Sequence, residues 1–381
     1  MLQKRVLVIS SNYGMGHLIA AKSIKQLLED ENQVLLLDTV EDGTSAEKTL
    51  AKLHILVWRY IPALWRAIYH NSLSRRKMLK TFFKYTINKK LYENIRSFEP
   101  DVIISTNPYA TTYGIKYKKE QPNTKLFVCI TDFWVHPFWL YDEVDLYFLP
   151  SDYSLKFFDS TNYIVTGIPL RKGFWKEIDK ERIRRKLDIR TDKLVVLMNL
   201  GANSILPMGD TIAYINKFRE SLYFLIVVGK DKRRYNVLFD RLKRYKNLDF
   251  KLFSFVEDIH NLVFACDFCI TKAGGVTVSE LIYTKTPAIY YRSLPGQEEG
   301  NQEYIKESGL GLIAKKFEQL TSLTKLVIEN PYILEFISNN LRNQRKGMDF
   351  FKIKDIVAEE RLPDYESDFD LWYPGSGVLP V

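Results

Sequence analysis

Thr271-Lys-Ala-Gly-Gly-Val-Thr-Val-Ser-Glu280 is the stretch from which the fold is read. The apolar run before it, 262–270, predicts the end of a buried helix passing into a strand. Two glycines, Gly274 and Gly275, break the run, and a helical pattern resumes from Val276. A strand, a Gly-Gly turn and a helix start present backbone N–H groups at the positive end of a helix dipole. This is a ready phosphate site, to which Gly274, Gly275, Val276 and Thr277 would contribute mainly through N–H. Glu280 stands one turn further on, where a carboxylate can accept two hydroxyls, as from a ribose. A second turn, Pro295-Gly-Gln-Glu298, offers Gln297 and Glu298 to more hydroxyls. Phosphate, diol and further hydroxyls in that order describe a nucleotide-sugar.

Outward from this stretch, similar apolar runs recur. Strands are predicted at 5–10, 33–37, 102–105, 126–130 and 146–149, then at 194–200, 224–228, 250–253, 268–271 and 288–291. The segments between them read as helices or loops, so the class is α/β with mostly parallel sheets covered on both faces. Gly201, Gly229 and Gly274 each fall just past a strand. Their turns should share the sheet edge where ligands bind. The turn Thr166-Gly-Ile-Pro169 divides the chain into an N-terminal domain, 1–165, and a C-terminal domain, 166–345, facing each other across a cleft. Residues 346–381 hold a helix and an acidic tail that either docks on the N-terminal domain or stays free. A chain of 381 residues is long enough for a core in each half.

The formal charge of +9 is concentrated. Between Lys48 and Tyr92 there are eleven Lys or Arg and no Asp or Glu, which points to one anionic surface. Trp58, Trp65 and neighbouring aliphatic residues can gather on one side of a helix. Arg59 and Arg66 are placed to snorkel, and Arg75, Arg76 and Lys77 follow. The 48–92 segment therefore predicts interfacial binding to an anionic membrane, the alternative being a buried helix with a solvated basic face. No nucleic-acid motif accompanies the charge. No run of 18 apolar residues is present, and the N-terminal run reads as a strand rather than a signal peptide. Cys129, Cys266 and Cys269 provide no disulfide framework and suit a reducing cytoplasm. Cys266-x-x-Cys269 lacks the second pair a zinc site would want, so buried structural thiols are expected. No other pattern has metal-ligand spacing, and no cofactor is expected.

Six motifs together carry a family resemblance: Asn12-Tyr-Gly-Met-Gly-His17, 100–106 (PDVIIST), 131–136 (TDFWVH), 166–169 (TGIP), 271–280 (TKAGGVTVSE) and 295–301 (PGQEEGN). In this order the chain resembles the glycosyltransferases that include bacterial processive diacylglycerol glucosyltransferases and plant monogalactosyldiacylglycerol synthases. These are relatives of the lipid II-forming N-acetylglucosaminyltransferase. The resemblance implies a GT-B fold of two Rossmann-like domains. It also implies an inverting, metal-independent transfer of a hexose from a UDP-sugar to a lipid acceptor, on the inner face of the membrane. Two departures stand out: Lys272-Ala-Gly-Gly where the family has Lys-Pro-Gly-Gly, and Gly201-Ala-Asn-Ser where relatives place a second small residue beside the phosphates.

Inverting transfer needs a base for the acceptor hydroxyl. His17, an imidazole after the glycine turn Gly14-x-Gly16, suits that role, or one in positioning the acceptor. Asp132 is expected to orient the imidazole or touch the acceptor, with His136 on the same cleft wall. The resemblance also places Phe255 and Val256 around the uracil ring and a diphosphate contact at Gly201. Asn301 would cap a helix or join the sugar site. Gly14-x-Gly16 with Asp38 also suggests a dinucleotide fingerprint, but Ile19 stands where the third small residue belongs. A GT-B enzyme with a soluble acceptor, a nucleotide-sugar epimerase and a non-catalytic UDP-sugar sensor remain the rival readings. Oligomeric state is not legible.

Overall fold

The structure, a computed structural model, describes residues 3–12, 15–43, 87–189, 191–200, 206–293 and 296–359. Gly14, Gly201, the acidic tail and the basic-aromatic segment up to residue 86 lie outside them, and with that segment Trp58, Arg59, Trp65, Arg66, Arg75, Arg76 and Lys77.

The Val-, Ile- and Leu-rich runs become strands buried on both faces, which is why they read as nearly continuous apolar stretches. The N-terminal half runs β1 (Arg5–Ser10), α1 (Met15–Leu28), β2 (Gln33–Asp38), α2 (Lys89–Phe98), β3 (Val102–Ser105), α3 (Pro108–Glu120), β4 (Lys125–Cys129), β5 (Leu146–Leu149) and β6 (Tyr163–Val165). Its parallel sheet has the order β2-β1-β3-β4-β5-β6. In register, Val8 of β1 lies between Leu36 of β2 and Ile104 of β3.

The C-terminal half starts with α4 (Lys180–Lys186), β7 (Leu194–Asn199), α5 (Met208–Phe218), β8 (Leu222–Val227), α6 (Lys232–Leu242) and β9 (Phe250–Phe253). It continues with α7 (Ile259–Ala265), β10 (Phe268–Thr271), α8 (Gly275–Thr284), β11 (Ala288–Tyr291), α9 (Gln297–Glu307), β12 (Leu312–Ala314) and α10 (Phe317–Glu329). Its sheet is again six-stranded and parallel, in the order β12-β11-β10-β7-β8-β9. Two edge strands, β6 and β12, are additions to the sequence reading. After α10 the chain forms α11 (Tyr332–Arg345) and α12 (Lys352–Ala358) with a break between them.

Local chemistry explains several helix starts. Asn107 caps α3, its side chain accepting from the N–H groups of Tyr109 and Ala110, and Pro108 occupies the first helical position. No side chain caps α8 at Gly274.

One apolar cluster joins the two halves. It runs from Val6, Ala20 and Ile24 through Ile168, Leu170 and Phe174 to Val276 and Leu281, and takes in Ile353 and Val357 of α12. Separate clusters fill the other face of each sheet. The chain thus returns from the C-terminal half toward the first, and Lys354 of α12 lies 2.6 Å from Glu31 beyond α1. No helix among the described residues is long and apolar enough to cross a membrane.

Candidate active site

In each parallel sheet the strand order reverses once, and ligands bind beyond the carboxyl ends of the strands at that point. In the N-terminal sheet the reversal lies between β1 and β3. The chain leaving β1 enters α1, whose first turn carries His17. Thr106, just past β3, places its hydroxyl 3.0 Å from the His17 carbonyl and 3.0 Å from Ser10 Oγ. The imidazole Nδ1 lies 2.8 Å from Thr131 Oγ1, beyond the end of β4. The Trp139 ring is tilted beside it at 5.8 Å.

In the C-terminal sheet the reversal lies between β7 and β10, and β10 runs into the uncapped start of α8. Two charged pairs flank this helix. Lys272 Nζ is 2.7 Å from Glu298 Oε1. Arg171 donates from Nη2 to Glu280 Oε1, and burial raises the Glu280 pKa while Arg171 opposes the rise. Gln297 and Glu298 open α9 after Gly296, whose φ of +90° is a conformation that favours glycine. Phe255, half exposed past β9, has the Lys230 ammonium 5.1 Å from its ring centre, while Val256 packs against the core.

The two sites meet face to face. A Cβ on Gly275 would lie 1.9 Å from the Thr131 carbonyl oxygen, so α8 can approach this closely only without a side chain there. Gly16 faces Val276, whose Cγ2 would be 3.8 Å from a Cβ at that glycine. Asn301 of α9 spans the two halves. Its Nδ2 donates to Ala273 O (2.9 Å) and to Asp132 Oδ1 (3.3 Å), and its Oδ1 accepts from the Phe133 N–H (2.8 Å). Phe133 stacks on Tyr304 at 4.2 Å, and Lys156 is 2.6 Å from Glu307. Gly16, His17, Thr131, Asp132, the start of α8, Glu298 and Asn301 thus form one locus. Among the described residues no group of three or more His, Cys, Asp or Glu is placed to hold a metal ion.

His136 is 2% exposed, packs between Trp134 and Phe138, and accepts the Phe138 N–H at the start of a short 3-10 turn. Asn301 lies inside α9 rather than capping a helix, and its amide is fully buried in bonds between the halves. Asp132 does not hold the imidazole at Nδ1, a place taken by Thr131. Glu280 is also less open than a ribose acceptor was expected to be, with Arg171 on one oxygen. Thr131 and Arg171 were not singled out as site residues. Each adjoins a motif, Thr131 opening 131–136 and Arg171 following 166–169, but no local pattern names its partner.

Burial pushes the Asp132 pKa up to about 7, with the Asn301 bond pulling it down and the Glu298 charge adding to the rise. Its Oδ2 is buried without a partner, which suits a protonated acid. Between its ordinary value of 3.8 and about 7 the folded chain holds a proton that the unfolded chain has released. The associated stability is fully present below the lower value and is lost as pH rises through the upper one. Asp132→Asn should remove that loss. Its urea midpoint is expected to exceed that of the parent chain at about pH 8, with the gap closing toward about pH 4. Midpoints that fall in parallel over this range would show that Asp132 is not the group responsible.

Two Rossmann-like sheets, with a glycine-turn helix start in one facing an imidazole in the other, define a GT-B protein. Comparison with known proteins agrees. Residues 17–170 match the family model of monogalactosyldiacylglycerol (MGDG) synthase, and residues 209–358 that of the glycosyltransferase family 28 C-terminal domain. The two matches together span both halves of the chain, which is an enzyme of the glycosyltransferase class. It is 27% identical to the processive diacylglycerol beta-glucosyltransferase of Bacillus licheniformis, over 94% of this chain and 96% of that one. Among solved structures, Acinetobacter baumannii MurG superposes with a TM-score of 0.61 at 14% identity, covering 93% of this chain and 99% of MurG. Anabaena Alr3699/HepE, solved in complex with UDP-glucose, superposes at 0.54 with 16% identity, over 94% and 99% of the two chains.

Proposed function

We propose that the chain transfers a hexose, with inversion, from a UDP-sugar to diacylglycerol or a glycosylated diacylglycerol, and that His17 is the general base. The observation that carries this reading is that Gly16 and Thr131, the neighbour and the ring partner of His17, lie against the uncapped N-terminus of α8 in a contact that glycine at 275 permits. The names of its relatives support the lipid acceptor, and a UDP-glucose complex of the same fold supports the donor.

The acceptor hydroxyl oxygen attacks the anomeric carbon while its proton passes to the imidazole. On the opposite face of that carbon the bond to the β-phosphate oxygen breaks, and UDP departs. Charge on the diphosphate falls on the N–H groups at the start of α8, so the step requires no metal. Phe255 and Val256 frame the uracil, Glu280 takes ribose hydroxyls on its remaining lone pairs, and Gln297 and Glu298 take those of the hexose. The protein works on the inner face of the membrane, held there by the basic-aromatic segment 48–92.

The test is incubation with UDP-glucose, UDP-galactose and other UDP-sugars on anionic vesicles containing diacylglycerol, with mass and NMR analysis of the lipid. The expected product is diacylglycerol plus one or more hexoses in β linkage from an α-linked donor. Hexose transfer only to soluble acceptors, or an α product, would overturn the reading.

A further inference from the structure

A general base needs its ring held so that the free nitrogen faces the reacting hydroxyl. We infer that Thr131 is the positioning residue for the His17 imidazole, and that the same residue couples the ring's orientation to the seating of the donor helix. The inference rests on His17 being the base.

The geometry separates Thr131 from its acidic neighbour. Thr131 Oγ1 lies 2.8 Å from Nδ1 of His17, whereas Asp132 Oδ1 is engaged by the amide of Asn301. A hydroxyl can accept the Nδ1 proton, and in that tautomer the basic lone pair of the ring lies on Nε2. Trp139 stands beside the ring and restricts its rotation. Thr131 is 3% exposed, so its hydroxyl has little water to turn to.

The other end of Thr131 meets the donor side. Its carbonyl oxygen sits where a Cβ on Gly275 would be, 1.9 Å away. The side chain that holds the base and the backbone against which α8 seats therefore belong to one residue. Displacing α8 from this contact would free the 131–132 backbone and with it the anchor of the imidazole. Base and donor site are then assembled together, which keeps the base aligned only while the halves are closed.

Thr131→Val keeps the shape and removes the hydroxyl; Thr131→Ser keeps the hydroxyl. Loss of one buried hydrogen bond predicts a fall in kcat of about 10-fold for the valine variant, with KM for the UDP-sugar nearly unchanged. The serine variant should recover most of the rate. In a His17→Ala background, Thr131→Val should cost nothing further, because the hydroxyl acts through the ring. Thermal midpoints of all variants identify any that fail to fold, and the serine variant carries the test if valine does. Equal losses for serine and valine, a rise in KM alone, or an additive loss in the double variant would overturn the inference. So would parent-like kcat in Thr131→Val beside an inactive His17→Ala, an outcome that leaves His17 standing as the base. Undiminished turnover in His17→Ala would instead remove the base assignment itself.

Discussion

Replacing His17 with alanine is expected to lower kcat by about 10²–10⁴-fold, the usual contribution of a positioned general base. Affinity for the UDP-sugar should hardly change. The reason is the division of labour between the halves. The candidate donor contacts, from the start of α8 through Glu280 to Gln297 and Glu298, all lie in the C-terminal sheet's half of the cleft. His17 lies in the other half and is fixed by Thr106 through its carbonyl and by Thr131 through its ring. Removing the imidazole therefore leaves the diphosphate site intact and deprives only the attacking hydroxyl of a proton acceptor. Calorimetric titration with UDP, beside steady-state rates on diacylglycerol vesicles, separates the two effects. A variant that binds UDP normally and turns over within about threefold of the parent would show that the proton leaves by another route, because so small a loss lies far below a base's contribution.

The fold was legible because parallel strands buried on both faces write themselves as uninterrupted apolar runs, and eight of the ten strands that stand out are such inner strands. The two that do not stand out, β6 and β12, are three-residue edge strands, most of whose side chains are only partly buried. Runs that short carry no period. The glycine turn at 274–275 was legible for a related reason: strand, turn and helix start are contiguous, so local pattern suffices. Partners across the cleft were not. Arg171 and Glu280 are 109 residues apart, Asn301 and Asp132 169, and nothing near either carboxylate announces which cation or amide will reach it. His136 shows the converse failure. Its residue type suggested chemistry, but it packs against Phe138 two positions away and ends as a buried cap. Motif membership says which residues the fold gathers at one locus, while the direction of each side chain depends on tertiary contacts.

Gly275→Ala is expected to cost about 10²-fold or more in kcat by forcing the halves apart, since an ångström of misplacement at reacting groups can lose that much. The added methyl would stand 1.9 Å from a backbone oxygen, and backbone, unlike the end of a flexible side chain, cannot swing aside. Ile168 Cδ1, at 3.3 Å, hinders a sideways move as well. The strain is relieved only if α8 withdraws from the 131–132 segment, which separates the donor from His17 and stretches the bonds that Asn301 makes between the halves. For the backbone of α8 itself the substitution is benign. Gly275 opens a helix with no left-handed φ, and alanine there favours helix by up to about 1 kcal/mol. Gly209→Ala is the matching control: it also lies in the first turn of a helix, α5, and its Cβ would meet nothing within 4 Å. The expected pattern for Gly275→Ala is unchanged UDP affinity, a lowered thermal midpoint, a larger radius of gyration in solution scattering and a collapsed kcat, while Gly209→Ala stays parent-like in all four. Full activity in Gly275→Ala would mean that transfer proceeds with the halves further apart than in this structure, and the contact between Thr131 and α8 would lose its place in the mechanism.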